Sequence, residues 1–236
     1  METTWYSDFR ELLLSPFKSG IPQIVESGSC MKGFYAAAAV SVGGSVLSTF
    51  VPAIIISIMQ LHHTEFGRII VMSANGGVAI QIAFNLFFTF LGLALNAYLV
   101  SWVANKFDAH TTMQDVLKVN WYSYAYGQLI ALIWGLLITP VYILLFIYGF
   151  VRLGEPFDFY QPVLVFMVLS FLVLLVISLW TWWVSLNLLS QQIKKPKLST
   201  FGISLLAGLI PFIIIMSLTA FIIYTVMSLR YPSGLF

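Results

Sequence analysis

The sequence predicts an all-α polytopic membrane protein: five transmembrane helices accompanied by short interfacial helices. Three observations predict this class. Of 236 residues, 60% are hydrophobic and 8% are charged, with a mean hydropathy of +0.94; a soluble domain carries about 25% charged residues. Five runs contain no Asp, Glu, Lys, Arg or His: Phe34–Ile58, Val78–Val103, Ser123–Phe150, Pro162–Leu189 and Ile203–Leu229. Each exceeds the ~20 residues that cross a ~30 Å hydrocarbon core. Lipid offers the backbone no hydrogen-bond partner, so separate spans of this length are helices. Third, the basic residues alternate in density between successive connections. Arg10, Lys18 and Lys32 precede the first run, Lys106 and Lys118 lie between the second and third, and Lys194, Lys195 and Lys197 lie between the fourth and fifth. Only Arg68, Arg152 and Arg230 fall on the other side. Cytoplasmic loops carry the excess of Lys and Arg. The N-terminus is therefore expected in the cytoplasm and the C-terminus outside, in the plasma membrane if the source is prokaryotic. The expected units are a cytoplasmic amphipathic N-terminal segment (1–33), a membrane domain (34–229) and a short outer tail (230–236).

Along the chain, Trp5 to Phe17 alternates apolar and charged residues and reads as a helix lying at the headgroup boundary. Pro22 is expected to open a second short helix leading to Lys32. Ser27 to Cys30 has the small residues of a lipoprotein cleavage site but no apolar run before it, which argues against lipidation. With a single cysteine, Cys30, there is no internal disulfide.

The polar bridge from Trp102 to Gln128 separates two apolar runs. Thr111 with Gln114, and Thr112 with Asp115, have the spacing of capping boxes. A short surface helix, Met113–Asn120, is expected before the chain turns into the membrane. Trp121, Tyr122, Tyr124 and Tyr126 then mark the interface, where rings with polar tips are favoured. The loop Lys194–Lys197 repeats this layout, with Ser199 and Thr200 as candidate caps. Trp180, Trp182 and Trp183 form an interfacial belt beside it. The outer segment from Gln60 to Gly77 is longer than a tight turn. Pro52, Pro140 and Pro211 are candidate kinks.

Chemistry-bearing residues are few. Gln81, Asn85, Thr89, Gly92 and Asn96 share one face of the second span. They read as an interhelical polar face, with Gly92 and Gly43-Gly44 as sites of close approach; the alternative is the lining of a permeation path. His62, His63 and Glu65 lack metal-ligand spacing. The runs hold no ionisable relay, so proton-coupled transport and intramembrane hydrolysis lose their usual machinery. No catalytic residue, metal or cofactor is expected, and the protein is read as no enzyme. Lys106, Asp115, Lys118, Lys194, Lys195 and Lys197 are the candidates for binding protein partners or anionic lipid.

The bridge also carries a family likeness. Val103–Asp108 (VANKFD), Thr112–Val119 (TMQDVLKV) and Tyr122–Ala125 (YSYA) resemble the Yip1 domain family, as do the stretch Trp183–Pro211 and Leu14–Phe17 (LSPF). The resemblance is to short prokaryotic-type members and covers most of the membrane region. Asp108-Ala109 stands where the family commonly has glycine, and Tyr126-Gly127 where proline is common. The resemblance implies a Yip1-like five-helix bundle. Eukaryotic members are linked to vesicle traffic and Rab GTPases; the short members have no settled activity, and there is no catalytic residue to carry over.

Two functions are expected from these readings. The first is a non-enzymatic membrane scaffold or accessory subunit that binds membrane proteins through the interior loops and helix faces, with lipids as further partners and no nucleic acid. The alternative is a small-solute or lipid transporter using the polar face of the second span.

Overall fold

A computed structural model describes residues 4–58, 78–152 and 156–230, and every regular element among them is helical. The order is α1 (Trp5–Leu14), a π-helical turn (Pro16–Gly20), α2 (Ile21–Ser27), α3 (Cys30–Ile58), α4 (Val78–Lys106), α5 (Met113–Arg152), α6 (Pro156–Gln192) and α7 (Lys197–Arg230). Helices α3 to α7 each contain a segment long and apolar enough to cross a membrane. They form a bundle around α5, which packs on α3, α4 and α6, while α7 packs on α4 and α6.

Helix α5 corrects the expected surface helix at 113–120. It is one continuous helix of 40 residues, about 60 Å long at 1.5 Å per residue. That is roughly twice a ~30 Å hydrocarbon core, so a helix of this length reaches beyond the core. Helix α3 likewise starts at Cys30, so Lys32 belongs to the long helix and not to α2. The segment with His62, His63 and Glu65 lies outside the described residues, as do residues from 231 on.

The turns α4–α5 and α6–α7 lie at one end of the bundle and are built alike. The Ala109 amide donates to Ala104 O at 3.2 Å, and the Lys195 amide to Ser190 O at 3.2 Å. Asp108 (φ 55°) and Lys194 (φ 54°) sit just before those amides. This is the Schellman arrangement, whose left-handed residue is usually glycine. Asp108 is doubly disfavoured there, by its Cβ and by its charge near a helix C-terminus. Asp108→Gly is expected to raise stability by about 1 kcal/mol. Lys194→Gly, which discards a favourable charge, should change it little; thermal unfolding of the two variants in detergent checks the contrast.

The start of α5 selects one of the two expected boxes. The Thr112 amide donates to Asp115 Oδ2 (3.1 Å) and the Asp115 amide to Thr112 Oγ1 (3.2 Å), the reciprocal pair of a capping box. Thr111 is held differently: its amide and carbonyl both bond the Asn105 side chain at 2.9 Å, while its hydroxyl is buried without a partner. In the other turn Thr200 is no cap. It lies inside α7 and its hydroxyl donates back to Pro196 O at 3.1 Å.

Among the described residues the buried core is concentrated at this turn end. Its members fall in 9–37, 97–126 and 184–207. Toward the far end large apolar side chains are exposed, among them Leu137, Leu144, Phe171, Val176 and Phe212. In lipid, apolar side chains gain nothing by leaving acyl chains for each other. Water is present only beyond the core, and there burial of apolar area is favourable. A tight, largely buried end and a lipid-facing far end follow from that difference.

The N-terminal segment packs into the tight end. Asp8, Phe9 and Leu12 of α1 and Ile21 and Ile24 of α2 are buried. Helix α1 packs on α3 and α5, and α2 on α6. Burial of Leu12, Ile21 and Ile24, each 0% exposed, contributes about 2 kcal/mol apiece. Gly20 permits the fold-back: a Cβ there would meet Leu12 Cα at 2.5 Å.

Candidate functional site

Three layers are stacked from the turn end toward the middle of the bundle. The outermost is a buried polar cluster that sequence patterning does not reveal. Asp8 is fully buried. Its carboxylate accepts from Gln23 Nε2 at 2.8 Å and from the Tyr122 hydroxyl at 3.3 Å, and Lys32 Nζ lies 3.7 Å away. One acid thus ties α1, α2, α3 and α5 together. Beside it the Lys118 ammonium donates to Val25 O at 3.2 Å.

The second layer is aromatic. Phe34 of α3, Phe90 of α4 and Trp121 of α5 meet as three rings, with centroids 5.2, 5.5 and 4.9 Å apart. Aromatic pairs at such distances favour tilted and edge-on contacts. The triad locks the three helices together where they leave the tight end.

The third layer is a cleft of about 440 Å³ between α3, α4 and α5. Helix α3 lines it with Ser41 and Ser45, α4 with Asn85 and Thr89, and α5 with Tyr124, Gln128 and Thr139. From Ser41 to Val51 it follows α3 for about 15 Å. The serine hydroxyl of Ser41 and the phenol of Tyr124 lie 3.4 Å apart across its turn-end corner. The side chains of Asn85 and Gln128 are exposed on its wall, and among the described residues neither amide has a hydrogen-bond partner. No lining residue carries a formal charge.

A second cavity, about 310 Å³, lies between α4, α5, α6 and α7 nearer the turns. Asn96, Asn120, Ser123, Ser185 and Ser204 supply its polar wall, and Tyr124 lines it as well. Asn120 Nδ2 donates to Asn96 Oδ1 and to Leu93 O, both at 3.1 Å. The Ser123 hydroxyl is buried and, among the described residues, unpartnered.

The expected polar face of the second span is therefore divided. Asn96 pairs across to α5, as an interhelical contact should. Asn85 and Thr89 face the cleft instead. Gly92 is not a close-approach site, since a Cβ there meets nothing within 4 Å; the same holds for Gly43, while Gly44 faces Leu132 at 3.7 Å. The close approach falls at Gly33, beside Trp121 and Tyr122. The side chain of Gln81 lies outside the described residues.

The expected binding candidates also separate. Lys118 is buried and engaged inside the fold, which removes it from any partner-facing surface. Asp115 is occupied by the Thr112 cap and by Gln192 Nε2 at 3.1 Å, a bond that ties the two turns together. Lys106, Lys194 and Lys197 are exposed and Lys195 is half-buried. Lys106 Nζ stands 5.8 Å over the Trp102 ring, and Lys197 Nζ 4.9 Å over that of Trp183. Of the tryptophan belt, Trp180 Nε1 donates to the Tyr126 hydroxyl at 2.8 Å, and Trp182 packs edge-on against Phe201. Among the described residues no group of three His, Cys, Asp or Glu side chains has the arrangement of a metal site. Comparison with known proteins adds no relative: no family model, no curated protein and no solved structure matches the chain.

Proposed function

We propose that this is a non-enzymatic membrane protein that binds a small, uncharged, hydrogen-bonding amphiphile in the cleft between α3, α4 and α5. The observation that carries the reading is the pair of unpartnered amides, Asn85 and Gln128, on a polar wall midway along apolar helices. In hydrocarbon an unsatisfied polar group costs several kcal/mol. A wall with two such groups favours an occupant that offers hydrogen bonds in return. The occupant is neutral, because no lining residue offers a countercharge and an unpaired buried charge is far costlier than a dipole.

Size argues against a partner helix in the cleft. A helix about 10 Å across occupies about 1,200 Å³ over a 15 Å length, against a cleft of about 440 Å³. Small-molecule pockets run from about 300 to 1,000 Å³. A diacylglycerol-like head, with hydroxyl and ester groups and acyl chains leaving into the bilayer, fits this chemistry. Such a site would serve the small-solute or lipid transporter that is the alternative reading of the polar face of the second span.

The test uses a photoactivatable short-chain diacylglycerol in phosphatidylcholine vesicles. Crosslinks are expected on α3 and α5. The double variant Asn85→Leu, Gln128→Leu removes two hydrogen bonds of about 1 kcal/mol each, which is about thirtyfold in affinity. Labelling that is unchanged in the double variant sinks the reading.

A second reading is supported by the basic rim at the turns. Lys106, Lys194, Lys195 and Lys197, two of them over tryptophan rings, suit anionic lipid or an acidic partner surface. This is the scaffold or accessory-subunit function, on the cytoplasmic side if the basic-residue asymmetry sets orientation, and the Yip1 resemblance belongs with it. Co-purification from the native membrane tests it: partners should be lost when Lys106, Lys194 and Lys197 are changed to Glu. Partners retained by that triple variant would move the contact to the helix faces.

A further inference from the structure

We infer that the two cavities are successive stations of one route through the bundle, and that Tyr124 is the residue that closes it. The inference rests on the cleft being a ligand site. Tyr124 lines both cavities, the mid-bundle cleft on one side and the turn-end cavity on the other. Polar groups continue beyond it. Asn85, Gln128 and Ser45 precede the tyrosine, and Asn120, Ser123 and Ser204 follow it. One of these, the Ser123 hydroxyl, is buried with no partner. A neutral ligand leaving the cleft toward the turns therefore finds hydrogen-bonding groups on both sides of the ring.

The closure is lightly held. Among the described residues the Tyr124 hydroxyl has one hydrogen bond, with Ser41 at 3.4 Å, longer than the 2.5–3.0 Å of a strong hydroxyl pair. Its neighbours on α5 are fastened: Tyr122 bonds Asp8, Trp121 sits in the aromatic triad, and Tyr126 accepts from Trp180. Swinging the Tyr124 ring away breaks one long bond and leaves those ties intact. The passage would carry uncharged polar molecules or lipid headgroups, since the groups on either side are amides and hydroxyls.

Thiol accessibility tests this without a known ligand. In the full chain with Cys30→Ser, Gln128→Cys reports the cleft and Ser204→Cys the turn-end cavity. A membrane-impermeant maleimide is applied from the turn side, identified by labelling of Asp108→Cys. Ser204→Cys should label readily, and Gln128→Cys slowly while Tyr124 is present. Tyr124→Ala should speed labelling of Gln128→Cys at least tenfold. Tyr124→Phe, which keeps the ring and loses the Ser41 bond, should give a smaller rise. If either variant fails to fold, the other decides. An unchanged rate in each variant that folds overturns the route. Crosslinking of the diacylglycerol probe in wild-type protein would then still stand, and the cleft would be a binding site with one mouth.

Discussion

Asp8→Ala is expected to destabilise the protein by about 3 kcal/mol and to free α1 and α2 from the bundle. The carboxylate is wholly buried and accepts from Gln23 and Tyr122, with Lys32 close by. Alanine leaves the Tyr122 hydroxyl, itself 0% exposed, without its acceptor. Stranding a buried donor costs about 1–3 kcal/mol, and breaking a buried charge pair costs more. Asp8→Asn keeps an acceptor for Tyr122 but loses the charge facing Lys32, so it should fall between the two. Hydrogen exchange resolves the local effect: amides of Trp5–Ser27 should lose protection while those in the middle of α5 keep theirs. Uniform loss along the chain would show that Asp8 supports the whole fold and not one docked segment.

Gly33→Ala is the second large effect, and its sign is the informative part. Alanine in a helix interior is ordinarily favoured over glycine by about 1 kcal/mol. Here a Cβ would stand 2.9 Å from Trp121 Cβ and 3.1 Å from the Tyr122 ring. Trp121 Cβ is attached directly to the α5 backbone, so only helix displacement relieves the clash. The displaced pair is α3 and α5, the most extensive helix contact among the described residues. Overpacking costs about 1–3 kcal/mol, and the aromatic triad and the Asp8–Tyr122 bond both sit at this contact. Net destabilisation is expected, larger for Gly33→Leu. Gly43→Ala on the same helix meets nothing within 4 Å and should gain up to about 1 kcal/mol of helix propensity. Thermal unfolding should therefore move in opposite directions for the two alanines. A shared direction would refute the close packing at Gly33.

Much of the architecture is legible in the sequence because lipid imposes severe rules. A span must be long, uncharged and helical, so each of the five runs falls inside one long helix, although α5 begins ten residues before its run and α6 and α7 begin six before theirs. The helix starts are less legible. Thr111 and Thr112 both have a partner at capping distance, and only the geometry of the turn shows that Thr112 takes Asp115 while Asn105 claims Thr111. The surface helix expected at 113–120 merges into α5 because nothing local breaks it.

The candidate site is legible only in part. The stripe Asn85, Thr89 and Asn96 follows from helical period. The same period cannot separate Asn96, which pairs with Asn120, from Asn85, which has no partner among the described residues. That depends on where α4 diverges from α3 and α5. Asp8 is hidden more deeply. In sequence it is one charge among several in an amphipathic segment, and its burial requires the fold-back of α1 and α2 that the close approach of Gly20 to Leu12 permits. What the sequence determines by itself is which stretches can cross a bilayer, since that requirement is met residue by residue within a single helix. Which polar groups are satisfied, which remain open in the cleft, and that Tyr124 stands between two cavities are decided by the tertiary structure, because each of those properties belongs to the space between helices.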